Sequence, residues 1–340
     1  MSATKSIFTM EKFTDTIGID ISKSSFDAYD YRSGSHRQFK NGKNNFLPFL
    51  SWVKKLDIPL NQLVICFEHT GIYSLPLAIF LTERKIAFCI VPGLEIKRSL
   101  GIKRGKNDKV DSKRIAHYAY LRRDELLLTK LASKPLLKLK SLLNLREKMV
   151  SQRAAYKGGI NEMKQFVNQR ENNIWFSSQN KIIKTFDTQI IKVEAEIRKI
   201  IRSDSVLKNQ YQLVTSVKGV GLVLGVSFIV YTNGFTSFSS WRKFASYSGI
   251  APFEYSSGTS VKGKTKVSHL ANKKLKGLLS NAACSAIRHS PEMREYYLNR
   301  IKKGKSKMST QNIIRNKIVS RVFAVINRNS PYVETLKYAA

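Results

Sequence analysis

Four carboxylates in this chain stand where elements of an ordinary globular protein keep neutral residues. Asp20 interrupts the short apolar run Thr16-Ile17-Gly18-Ile19, and Glu68 closes the continuous apolar stretch Leu63-Val64-Ile65-Cys66-Phe67. Asp108 and Asp111, three apart after Asn107, open a helical segment and so share one face of it. A carboxylate buried on a strand costs several kcal/mol, in order of magnitude, unless something pairs with it, and no basic residue sits among the nearest strand neighbours of Asp20. Its partner is therefore a side chain from far along the chain or a metal ion. Three of the acids also have a plainer reading: Asp20 caps the turn that follows it, and Asp108 and Asp111 in a first helical turn favour the helix dipole. Taken together, two acids at strand ends and two on one helix face make the set of hard oxygen donors that suits Mg²⁺. Two such ions can clamp the attacking and leaving oxygens of a phosphodiester.

The elements that would carry these acids can be read from periodicity. Thr16 to Tyr29 has a β-branched first half, the small polar turn Ser22-Lys23-Ser24 and an alternating second half, which is the pattern of a β-hairpin, and Arg37 to Lys40 could close a third strand. Asn45 to Leu56 is an amphipathic helix with Phe46, Phe49, Leu50 and Val53 on one face. Leu63–Glu68 and Ile86–Val91 are buried strands with a helix between them carrying Leu75, Leu77, Ala78 and Phe80. Strands alternating with helices predict an α/β domain on a mixed sheet over residues 1–130. From about Leu131 to Leu207 leucine and isoleucine recur at helical spacing (Leu136, Leu139, Leu142, Leu143; Ile182, Ile183, Ile190, Val193, Ile197, Ile200) with almost no Gly or Pro. Two long antiparallel helices broken at Asn168–Asn180, a coiled-coil arm over 131–207, are expected there. Residues 208–340 form a third, mainly helical region. It opens on Gly219-Val220-Gly221 between two apolar helices, which reads either as a helix-hairpin-helix offering backbone N–H groups to phosphate or as an ordinary αα-turn. Gly249 to Ser260 is expected to be a hydroxyl-rich loop, with Lys262, Lys264, Lys266, Lys273 and Lys274 behind it.

Composition narrows the partners. Fifty-nine Lys and Arg against twenty-four Asp and Glu leave a formal charge of +35 in 340 residues, which calls for a polyanion. The basic connector supplies Lys97, Arg98, Lys103, Arg104, Lys106, Lys113 and Arg114 as candidate phosphate contacts. No apolar run reaches the ~18 residues a membrane span needs, and no long apolar segment follows the first residues, so neither a membrane protein nor a secreted one is expected. Cys66, Cys89 and Cys284 sit in apolar surroundings without metal-ligand spacing and are expected to be reduced core residues of a cytoplasmic protein.

The order Ile-Gly-Ile-Asp20, Phe-Glu68-His-Thr-Gly, Asn-Asp108-x-x-Asp111 after a basic stretch, and Gly-Ile-Ala-Pro…Ser-Ser257-Gly resembles the DEDD insertion-sequence transposases, which include the Piv-type DNA invertases. The resemblance runs from about Thr16 to Ala324, with His69 and Ser112 standing where relatives carry small residues and alanine. It implies a RuvC-like domain of the RNase H fold, a long coiled coil and a separate transposase domain. It also implies Asp20, Glu68, Asp108 and Asp111 as ligands of Mg²⁺, for which Mn²⁺ can substitute, and Ser257 as the nucleophile that holds DNA as a phosphoserine. Ser256 and Ser260 are also candidates for the nucleophile, Ser257 being chosen because it directly precedes Gly258 as in the family motif, and Tyr255 lacks the Arg and His cluster a tyrosine recombinase uses. Donor and target DNA, a structured guide (bridge) RNA and a homodimer or homotetramer in the bacterial cytoplasm, at the nucleoid, are the partners and setting that the resemblance implies. A Holliday-junction-type nuclease, which needs the acids and water but no serine, is the competing enzymatic reading.

Overall fold

In a computed structural model the chain divides into two compact units, Met1–Leu131 and Ala132–Ala340. The structure describes residues 13–42, 45–99, 101, 107–257 and 261–334.

The first unit is built on a five-stranded sheet in the order β3-β2-β1-β4-β5. Strands β1 (Asp15–Ile21), β2 (Ser25–Asp30) and β3 (His36–Lys40) form an antiparallel meander, while β4 (Leu63–Glu68) and β5 (Phe88–Val91) run parallel to β1. The two parallel connections need crossover helices, and the sequence supplies them: α1 (Leu47–Lys55) and α2 (Leu75–Glu83), each with proline in its first turn, where its missing N–H is no loss. Ile17, Ile19, Ile65 and Phe67 point to one sheet face and pack with Phe26, Phe49, Val53, Leu77 and Leu81. On the opposite face Val64, Cys66 and Cys89 meet Ile96 of α3 (Gly93–Ser99) and Ile115, Tyr118 and Ala119 of α4 (Asp108–Leu121). Strand alternation therefore sorts the residues into two layers, and Thr16, Gly18 and Asp20 all belong to the α4 side.

The second unit is helical apart from one hairpin. Helices α5 (Lys134–Met163) and α6 (Asn173–Ser203) run antiparallel, as their cross-pairs show: Lys138 with Glu196 (2.5 Å), Arg146 with Glu194 (2.8 Å) and Arg153 with Asp187. The expected break at Asn168–Asn180 is shorter and earlier, because Trp175 and Phe176 continue the helix; Phe176 is buried against Ile160 and Ile183, which closes the tip with a small core of its own. Leu139 and Ile197 at the other end share a core with Val226 and Ile229. Helices α7 (Ser205–Thr215) and α8 (Leu222–Tyr231) flank the glycine pair. Gly219 has φ +90°, and a Cβ there would stand 2.5 Å from the Ala282 carbonyl, so packing alone requires glycine at that position. After α9 (Trp241–Tyr247) the expected loop is instead a β-hairpin, β6 (Pro252–Ser257) and β7 (Val261–Val267), bulged between Phe253 and Tyr255. Helices α10 (Lys273–His289), α11 (Pro291–Lys302) and α12 (Lys307–Arg328) complete the unit around Phe228, Phe244, Leu279, Ile318 and Val322. Cys66 and Cys89 are buried as expected, whereas Cys284 is exposed on α10, where its helical position faces outward. Among the described residues no helix is long and apolar enough to cross a membrane.

Candidate active site

Gly18 decides where α4 lies. A Cβ at that position would stand 2.1 Å from the Ala116 nitrogen and 2.3 Å from the Ser112 carbonyl, so helix and strand touch backbone to backbone. Two neighbours fix the register: the Thr16 hydroxyl donates to the Ala116 carbonyl at 3.1 Å, and Ser112 is fully buried with its hydroxyl turned back to the Lys109 carbonyl. Asn107 caps the helix by accepting from the Val110 N–H at 2.7 Å. The first turn of α4 is thereby held at the end of the sheet where Asp20 and Glu68 stand.

Asp20, Glu68, Asp108 and Asp111 line one cavity of 510 Å³, together with Gly93, Ile96, Lys97, Gly101, Arg114 and Ile115. Glu68 lies against Gly93, where any Cβ would stand 1.9 Å from its Oε1; glycine gives the carboxylate its seat at the start of α3. Asp111 accepts from Arg114 at 2.9 Å, so a guanidinium expected to meet nucleic acid holds a carboxylate here. Asp20, Glu68 and Asp108 take no hydrogen bond or ion pair from any described residue. Asp20 is half-buried, and its cross-strand neighbour is another acid, Asp27. Burial, and then the like charges of Asp111, Asp108, Glu68 and Asp27, push its pKa up to about 6. Asp27 itself is held by His36 Nε2 at 2.8 Å and Gln38 Nε2 at 3.0 Å.

A cation fits this donor set chemically. Four carboxylates, all hard oxygen donors, line one cavity, three of them without a partner among the described residues, and their mutual repulsion is what a divalent ion would relieve. As they stand, no three of the described acidic, histidine or cysteine side chains converge closely enough to ligate a single ion.

The other expected site residues are scattered. Lys97 lines the cavity, and Arg98 lies beside a separate hollow with Leu94 and Arg122. Lys113 is exposed on α4 and sits over the Tyr29 ring. Lys103, Arg104 and Lys106 lie outside the described residues. In the second unit Ser257 is the last residue of β6, paired in register with Val261. Gly258 to Ser260 lie outside the described residues, and Lys262 and Lys264 are described only as backbone positions of β7. Lys266 and Lys273 are exposed. Lys274 is not an open cation: it binds Glu147 of α5 at 2.5 Å, which raises its pKa. Sequence reasoning missed Gly18 and Gly93 as the positions that seat the helix and the glutamate. The alternation Thr16, Gly18, Asp20 was the signal for the first, since it sets a glycine on the same face as the acid.

Two family models match the chain. A DEDD transposase model of the IS110 type covers residues 17–169, and the model of the IS116/IS110/IS902 transposase family covers residues 211–298. The chain is 26% identical over 323 residues to the pilin gene-inverting protein of Moraxella bovis, spanning 93% of this chain and 97% of that one. The corresponding protein of Moraxella lacunata matches to the same extent. An insertion element IS110 protein of Streptomyces coelicolor is 31% identical over 122 residues, 35% of this chain and 29% of its own length.

Proposed function

The chain belongs to the IS116/IS110/IS902 family of transposases and is a DNA recombinase; from that premise we propose that it cuts and rejoins DNA through a covalent serine intermediate, with the four acids as its metal site. The observation that carries the reading is the shared cavity of Asp20, Glu68, Asp108 and Asp111, three of them without a partner among the described residues, in a chain of net charge +35. The strand order β3-β2-β1-β4-β5, with an antiparallel meander followed by two parallel strands, agrees with an RNase H-like sheet.

Mg²⁺, or Mn²⁺ in its place, would be held by those acids and would supply charge neutralisation at a phosphodiester. The chain's own residues do the positioning. Arg114 orients Asp111, Gly93 seats Glu68, and Lys97 places a positive charge at the cavity for a DNA phosphate. Ser257 Oγ attacks phosphorus: an O–P bond to serine forms, the bond to one sugar oxygen breaks, and that oxygen leaves with a proton as a hydroxyl. A second strand's hydroxyl reverses the step, so the bond energy is kept and no nucleotide cofactor is consumed. The exposed lysines of the second unit and the Gly219–Gly221 turn, read as a helix-hairpin-helix, contact DNA backbone, and a structured guide RNA pairs with target and donor. The protein acts as a homo-oligomer in the cytoplasm. Inversion of a DNA segment is the alternative product of the same chemistry, favoured by the likeness to the pilin gene-inverting proteins over nearly the whole chain.

The test is to incubate the protein, purified with co-expressed RNA, with labelled element-end DNA and Mg²⁺, and to resolve it on a denaturing gel. A protein–DNA adduct that Ser257→Ala abolishes, with DNA affinity unchanged, is the expected result. Cleavage without adduct, unaffected by Ser257→Ala, would establish the nuclease reading instead.

A further inference from the structure

Within the second unit one buried charge has no counter-charge. Arg315, in the middle of α12, is only 6% exposed. Its two terminal nitrogens donate to the amide oxygens of Asn312 and Gln311, each at the long distance of 3.4 Å, and its Nε has no acceptor at all. Among the described residues no carboxylate forms an ion pair with it. Five N–H groups in a rigid fork are thus answered by two weak neutral bonds. A buried guanidinium without a counter-ion carries a heavy desolvation cost, which an incoming anion would offset.

The neighbouring amides link the guanidinium to the surface and to the strand that follows Ile250. Gln311 bridges the guanidinium to the surface: its amide donates to Cys284 Sγ at 2.9 Å, with Gln311 half-buried and Cys284 exposed. Asn312 and Asn316 both donate to the Ile250 carbonyl, at 2.9 and 3.0 Å. Ile250 lies two residues before β6, so the same polar face of α12 that holds Arg315 anchors the root of the strand that ends at Ser257.

We propose that Arg315, with Gln311 as a displaceable cover and Asn312 beside it, is a phosphodiester-binding site that takes one backbone phosphate of the DNA strand handled at the β6–β7 hairpin. The inference rests on the recombinase reading for its ligand, and the geometry of the guanidinium fork matches the two free oxygens of a phosphodiester.

The experiment measures the salt dependence of affinity for a short element-end duplex, and the thermal midpoint without DNA, for the wild type, Arg315→Met and Arg315→Lys. Arg315→Met replaces an unpaired buried charge with an apolar chain of similar length, so the midpoint stays equal or rises. The slope of log affinity against log salt becomes shallower by about 0.9, one duplex phosphate contact. Arg315→Lys keeps the slope and weakens binding, because the fork is lost and the charge is not. A methylphosphonate scan of the duplex then finds a position where neutralisation weakens the wild type but not Arg315→Met. A lowered midpoint with an unchanged slope would make Arg315 structural and overturn the site. A slope change seen with single-stranded RNA and not with DNA would overturn the DNA assignment. The serine reading fails separately: an adduct surviving Ser257→Ala beside an altered Arg315→Met slope removes the nucleophile and leaves the phosphate site standing.

Discussion

Substituting Gly18 by alanine tests whether α4 is seated where catalysis needs it. The added Cβ would lie 2.1 Å from the Ala116 nitrogen and 2.3 Å from the Ser112 carbonyl, both backbone atoms that no rotamer change can move. Ordinary contact is about 3.5 Å, so the helix must retreat from β1 by about 1 Å or more. That retreat lengthens the 3.1 Å bond from Thr16 to the Ala116 carbonyl and carries Asp108 and Asp111 away from Asp20. A misplacement of about 1 Å at reacting groups costs on the order of 100-fold in rate, and forced overpacking costs about 1–3 kcal/mol in stability. The assay is single-turnover cleavage of labelled element-end DNA, with DNA affinity and thermal midpoint measured on the same preparations. Gly158→Ala is the control, because its Cβ meets nothing within 4 Å in the last turns of α5 and should stabilise by up to about 1 kcal/mol. Gly18→Ala is expected to cleave about 100-fold more slowly with affinity within a few-fold. Wild-type cleavage and midpoint together would refute the helix placement; a lowered midpoint with full cleavage would keep the packing and remove the α4 acids from the chemistry.

Other expectations follow from particular side chains. The pKa of Asp20 lies near 6 in the folded chain and near 3.8 when unperturbed, so its ionisation detracts from metal-free stability as pH rises between those values. Asp20→Asn should therefore stabilise the metal-free protein at pH 7.5 by about 1 kcal/mol after allowance for solvent screening, seen as a raised thermal midpoint, and leave the midpoint unchanged at pH 3. Added Mg²⁺ should raise the wild-type midpoint and not that of the variant; a wild-type midpoint indifferent to Mg²⁺ would count against the metal site. Lys273→Ala should flatten the salt slope of DNA binding by about 0.9, while Lys274→Ala should change it less, because Lys274 already pairs with Glu147. Equal slopes for the two variants would show that the ion pair opens on binding. Phe176→Ala removes the buried ring that closes the helical tip, and should cost about 3–5 kcal/mol locally, seen as faster hydrogen exchange around Ile160 and Ile183. Unchanged exchange there would mean that the tip core does not hold the two helices together.

The strands and helices of the first unit were legible because each is specified locally. A β-branched run makes β1, an unbroken apolar run makes β4, and Asn107 caps α4 whatever lies opposite. The long helices were legible for the same reason, although Trp175 and Phe176 were set outside them, since an aromatic pair next to a polar stretch resembles a break until its partners Ile160 and Ile183 are known. The hairpin of Pro252–Ser257 and Val261–Val267 was read as a loop because its hydroxyls and lysines outweighed the two-residue alternation. Cys284 was misjudged, and the pairing of Lys274 with Glu147 was not foreseen, because exposure and pairing depend on which element arrives beside them.

The sequence by itself determined the type and position of most elements, the surplus of positive charge and the four acids at element ends, all of which are fixed by neighbours a few residues away. Only the tertiary structure decided that residues 20, 68, 108 and 111 share one cavity, that Asp20 has Asp27 as its cross-strand neighbour, and that Arg315 is buried with no acid paired to it among the described residues. Those outcomes depend on close approach between distant segments. Such contact is set by where a strand lacks a side chain, as at Gly18, and a one-dimensional pattern carries no measure of it.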